Sequence, residues 1–172
     1  MKKLLVLLLL AGCSAAPKPQ SYNDTDVMYL QMMVPHTEQS RQIAQLAARH
    51  QPRAEVAMLA AAIDATEADE VTALAGWLRT WGQPATAPTD AHAAHGGMPG
   101  TSAGEIAIVD RTTGADFEHR FLDMLIAHQD DAVQLARMEL AGGTDPAVRN
   151  LAVQVDRSRS AEIQQMLAYL RA

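Results

Sequence analysis

The chain contains one cysteine, Cys13, in 172 residues. A lone thiol excludes an internal disulfide framework and a thiolate metal cluster. Aromatic residues make up only 4% of the chain, while alanine and methionine are frequent, a balance that suits closely packed helices rather than a sheet. Positive charge is also in deficit, with 14 Lys and Arg against 20 Asp and Glu and a net charge of −6. That argues against a nucleic-acid partner, and no polybasic patch is available for lipid headgroups. Several catalytic signatures are missing: the sequence has no Glu-x-x-His, no His-Glu-x-x-His, no phosphate-cradling glycine loop and no nucleophile elbow. Di-iron oxidase, zinc protease, nucleotide hydrolase and serine hydrolase chemistry therefore lack their parts. The expectation is a protein that is not an enzyme.

No apolar run is long enough to span a bilayer, which takes roughly 20 residues. The longest, Leu4–Leu10, follows Lys2 and Lys3 and leads through small residues to Cys13. This is the layout of a cleaved export signal. Its ending, Leu10-Ala11-Gly12-Cys13, resembles a bacterial lipobox, which implies a signal peptide over 1–12 and a lipid on the Cys13 sulfur. Residues 13–23, with Pro17 and Pro19, then form a flexible tether. The expected location is extracytoplasmic and lipid-anchored, at the outer membrane facing the periplasm in a two-membrane cell. The remaining length, about 160 residues, suits one domain.

From Asp24 the pattern is helical. Met28, Met32, His36, Gln39, Ile43 and Leu46 recur at spacings of three and four, which marks one face of a helix over about 24–50. Pro52 suits the first turn of a second helix, which Gly82 and Pro84 end. The chain then repeats itself. Laid over itself so that Asp24 falls on Asp116, it runs without a gap to Arg79 on Arg171. Leu30 falls on Leu122, Met32 on Met124, His36 on His128, Asp64 on Asp156 and Glu70 on Glu162. This reads as an internal duplication: copy one over 24–82, a linker over 83–114, and copy two over 115–172. Two helical hairpins burying their apolar stripes against each other make an all-α four-helix bundle over 24–172. The linker, rich in Ala, Gly, Pro and Thr, would cross the length of the bundle. Within it, Ser102-Ala103-Gly104-Glu105 has the capping-box pattern that opens a short helix.

The candidate chemistry lies on the apolar faces of the first and third helices. His36 and His128 each have a methionine four residues earlier, Met32 and Met124. Residues four apart share a helical face, so each pair can present a thioether beside an imidazole. Both pairs fall near mid-helix and could approach each other across the bundle. Thioether and imidazole suit Cu(I), a soft ion. Met28, Met33 and Met166, with Met58 and Met138, could supply further sulfur. The repeated Glu70 and Glu162 fall on or beside the inward stripe, as alternative ligands or as acceptors for a histidine N–H. In the linker, His92, His95 and Met98 form a weaker metal-binding pattern. Each motif also has a plainer reading: methionine on a helical face is usually core filler, and a duplication copies structural residues along with functional ones. His50 and His119 fall near helix ends or outer faces.

These segments resemble a known family. Asp26–His36 and Phe121–His128 resemble the two motifs of the family called domain of unknown function 305. Ala161–Met166 and Gly96–Gly100 are also typical of it, and the resemblance covers nearly all of 24–171. It implies a ferritin-like four-helix bundle in proteins commonly secreted or lipidated. Some members resemble periplasmic copper-binding proteins that use Met and His as ligands. The first histidine and its methionine carry over as Met32/His36 and Met124/His128. The family's usual second histidine does not: Thr37 and Gln129 stand there, and Glu67 and Arg159 replace its usual glutamine. The implied function is copper sequestration, tolerance or delivery, with a metal ion as ligand and the membrane reached through Cys13. A copper-handling protein or a second copy of the chain is left open as partner. The alternative is a metal-free structural or interaction module.

Overall fold

The computed structural model describes residues 21–87 and 100–172; Cys13, His92, His95 and Met98 lie outside them. Six helices follow in order: α1 (Asp24–Ala44), α2 (Leu46–His50), α3 (Ala54–Thr80), α4 (Ala103–Val109), α5 (Gly114–Gly142) and α6 (Pro146–Leu170). The described residues contain no strand, as the composition suggests.

Local signals account for most helix ends. Asn23 caps α1 through a capping box with Asp26, so two otherwise orphaned N–H groups are satisfied reciprocally. Asp145 accepts from the N–H groups of Ala147 and Val148, and Pro146 fills the first position of α6. Ser102 and Glu105 form the expected capping box and start α4. Gly82 takes a left-handed conformation, φ +66°, just past the end of α3, where a residue without a Cβ costs least.

Two boundaries differ from the periodicity. The first helix does not run through to residue 50. It stops at Ala44, and the Ala48 N–H donates to the Gln45 carbonyl only three residues back, which tightens the chain before α2. Pro52 is not in the first turn of α3. Gln51 is left-handed, and the Arg53 N–H is taken by the Glu118 carboxylate, so the helix opens two residues beyond the proline. Pro35, by contrast, is contained within α1 without breaking it.

Helices α1 and α3 form one hairpin and α5 and α6 the other, joined through α1 against α5. The start of α1 meets the far end of α5: Asp26 accepts from the N–H groups of Thr144 and Asp145. At the opposite end Arg53, ahead of α3, pairs with Glu118 near the start of α5. The two helices are therefore antiparallel. Tyr22 stacks on Trp81 at 3.9 Å, bringing the end of α3 beside the start of α1. The end of α3 and the start of α5 consequently lie at opposite ends of the bundle.

The core has two apolar clusters. One gathers Tyr29, Leu30, Met33, Leu74, Leu78, Ala136 and Val155. The other gathers Ile43, Leu46, Ile63, Phe117, Phe121, Leu125 and Met166. On each long helix the residues between these clusters are polar yet buried: His36, Thr37 and Ser40; Glu67; His128 and Gln129; Arg159. A polar layer thus divides the core at mid-height. None of the helices among the described residues is long and apolar enough to cross a membrane.

Candidate functional site

Polar groups buried this deeply need partners, since an unsatisfied one costs about 1–3 kcal/mol. The histidines supply each other's. His36 Nε2 donates to the His128 carbonyl and His128 Nε2 donates to the His36 carbonyl, both at 3.1 Å. The rings stack with centroids 3.9 Å apart. A carbonyl can only accept, so both Nε2 atoms carry hydrogen. Burial, with the Arg159 guanidinium adding to it, pushes His128 down to about 4. The His128 ring is therefore neutral at neutral pH, and its Nδ1 carries a lone pair. Thr101 Oγ1 lies 3.1 Å from that nitrogen and donates to it. The two histidines at matching positions thus meet face to face, whereas Met32 and Met124 pack into different core clusters.

Beside the histidines is a buried charge cluster. Arg159, 1% exposed, pairs with Glu67 at 3.1 Å, with Glu162 at 3.4 Å, and with Glu70. Glu67 also accepts from Ser40 at 2.8 Å and from Gln129 at 3.2 Å. Gln129 gives a second hydrogen to Glu162 at 2.7 Å. Burial pushes Glu67 up to about 7 against the opposing pull of Arg159. Glu70 and Glu162 are raised as well, again chiefly by burial. They turn to Arg159, not to the histidine N–H groups. The sequence places Glu67, Arg159 and Gln129 only as departures from a pattern. A periodic signal for them did exist: Ile63, Glu67 and Leu74 share one stripe of α3, and Val155, Arg159 and Met166 share one of α6.

Two surface cavities open against the histidine pair. One, about 460 Å³, is lined by His36, Gln39 and Pro35; the other, about 500 Å³, by His128, Met124 and Asp131. Gly100, Thr101 and Glu105 line both. The methionines are dispersed. Met32 and Met33 lie in the first core cluster with Met28 and Met138 packed against it, whereas Met166 lies in the second with Met124 against it. Met58 is 65% exposed on α3. His50 stacks on Phe117 and meets Asp110 at 2.8 Å, and His119 pairs with Asp123 on the surface.

His128 and Met124 both line the second cavity, and imidazole and thioether are donor types that suit a soft ion such as Cu(I). Met32, being buried in the core, reaches neither cavity without repacking. Among the described residues, no group of three or more His, Cys, Asp or Glu side chains is placed to hold a metal.

Comparison with known proteins agrees with this architecture. No curated protein matches the chain by sequence. Among solved structures, a DUF305 protein from Streptomyces coelicolor is 23% identical, with a TM-score of 0.80, over 86% of this chain and 92% of the other. A DUF305 fragment from Deinococcus radiodurans is 24% identical, with a TM-score of 0.76, over 88% of this chain and 98% of the other. CopM in its Cu(I)-bound form is 22% identical, with a TM-score of 0.70, over 87% of this chain and 97% of the other. At these identities the likeness is one of fold. The family described as Domain of unknown function (DUF305) matches residues 26–170, and the chain belongs to that family.

Proposed function

We propose that this protein is an extracytoplasmic copper-binding protein, tethered to a membrane by a lipid on Cys13, that holds Cu(I) for sequestration, tolerance or delivery. The carrying observation is the stacked His36–His128 pair at mid-bundle, with Met32 and Met124 one turn before each. CopM, which shares the fold, has been solved with Cu(I) and with Cu(II). Of the four expected ligands Met32, His36, Met124 and His128, His128 and Met124 are best placed because they line one cavity, His36 lines the other, and Met32 would join only by repacking of the core. A bound copper ion would contribute an exchangeable soft cation and no catalytic step. The lipobox supplies the location.

The test is an anaerobic Cu(I) titration against a competing chromophoric chelator. The expected result is binding of about one or two ions per chain, with a rise in the thermal midpoint because a ligand specific to the native state stabilises it. Both effects should be lost when Met32, His36, Met124 and His128 are replaced together by leucine. Unchanged affinity in that variant would overturn the assignment.

A second reading has its own support. Both histidine Nε2–H groups are spent on backbone carbonyls, and Gln129 is engaged with Glu67 and Glu162. On that reading the layer is plain core in a metal-free interaction module. Then His36→Leu with His128→Leu leaves the midpoint unchanged or raised, and copper never shifts it.

A further inference from the structure

Residues 100–102 cross the histidine pair as a short strap. Gln39 grips its backbone twice: Gln39 Nε2 donates to the Thr101 carbonyl at 2.9 Å, and the Thr101 N–H donates to Gln39 Oε1 at 2.8 Å. The glycine before it permits that approach, because a Cβ on Gly100 would lie 2.7 Å from Gln39 Oε1. The strap's far end is held where Ser102 opens α4 through its capping box with Glu105. Between these two fixings the Thr101 hydroxyl reaches His128 Nδ1. The strap also lines both cavities, Gly100 and Thr101 being common to the two.

Of the two His128 ring nitrogens, the strap covers the one not bonded to the opposite helix. His128 Nε2 is committed to the His36 carbonyl inside the bundle, and using it would break one of the two reciprocal bonds. Nδ1 has a lone pair and faces the strap. A soft cation entering the second cavity would therefore compete with one neutral hydroxyl for one nitrogen, while the protein interior stays as it is. We infer that Thr101 is the residue that sets access to the site: its hydroxyl occupies His128 Nδ1 as an internal stand-in, and a soft cation coordinates that nitrogen only by displacing it.

This inference rests on the copper reading, and its test separates the two. Cu(I) affinity is measured by chelator competition on the full chain in mild detergent micelles, for the wild type, Thr101→Val and Thr101→Ser. Valine keeps the shape and removes the donor. A neutral hydrogen bond contributes about 0.5–1.5 kcal/mol, so valine should bind Cu(I) about two- to tenfold more tightly, and serine should return to the wild-type value. Nitrogen-15 NMR of the imidazoles supplies a second readout, because Cu(I) is diamagnetic. Copper should move His128 Nδ1 while Nε2 keeps its proton, and in the metal-free protein Thr101→Val alone should shift Nδ1. Equal or weaker binding by the valine variant, or loss of the Nε2 proton on copper binding, overturns the strap's role and leaves the copper reading standing. Absence of Cu(I) binding by all three chains overturns the copper reading and the strap's role with it.

Discussion

Two residues show how closely the bundle's corner is fitted. Glu139, near the end of α5, is wholly buried, and burial, followed by the influence of the neighbouring Asp26 carboxylate, pushes its carboxyl up to about 8. It therefore holds a proton at neutral pH, while Asp26 takes the backbone N–H groups of Asn23, Thr144 and Asp145. A Cβ built on Gly143 would land on the Glu139 carboxyl. The buried carboxyl would have to shift to admit a methyl group, so Gly143→Ala should destabilise the protein by about 1–3 kcal/mol, read from urea unfolding. At this scale the sequence was informative where a residue type repeats with helical spacing. The pairing of His36 with His128 followed from equal positions in two copies. Thr101 did not, because a hydroxyl in a linker has no periodic signature, and Gln39, although on the periodic face of the first helix, carries no sign that it holds the linker.

At the level of elements, α3 and α6 are held together by few direct contacts and by the Arg159 cluster between them. Three carboxylates face one guanidinium, an arrangement that costs desolvation and is tolerated only while every member is present. Arg159→Met keeps most of the stem's volume and removes the cation. It should cost about 3–5 kcal/mol in urea unfolding at neutral pH, and the deficit should narrow on acidification, since protonated glutamates need no counter-charge. The helices themselves were legible from spacing, caps and the 24–171 resemblance. Their exact joins were not, because Gln45, Gln51 and Arg53 are placed by tertiary partners such as Glu118. The buried Glu67–Arg159 pair was hidden for another reason. Charged residues are almost never fully buried unless paired, and a pair drawn from two helices far apart in sequence is visible only once the helices are packed.

For the whole molecule, these groups set the direction of its response to pH. Glu139 and Glu67, about 8 and about 7 in the folded protein against an ordinary 4.5, stay protonated where the unfolded chain has released its protons. Stability contributed by them is full below 4.5 and is lost as pH rises towards 8. His128 acts in the other direction: about 4 when folded against an ordinary 6.5, it refuses a proton that the unfolded chain accepts. Its contribution is full above 6.5 and is lost as pH falls towards 4. Above about 4.5 the two glutamates outweigh the one histidine, so the thermal midpoint should be highest near pH 4 and fall as pH rises towards 8. Glu139→Gln, which removes the titrating group and keeps the side chain's shape, should flatten the decline towards pH 8 and leave the acid limb in place. Midpoints measured across that range decide it.

The reciprocal bonds between His36 and His128 carry one further consequence. Each ring is anchored on the other's main chain, so neither can be displaced without altering the support of its counterpart. The pair behaves as a single mechanical joint between the two hairpins, and an event at either imidazole is shared by both halves of the molecule.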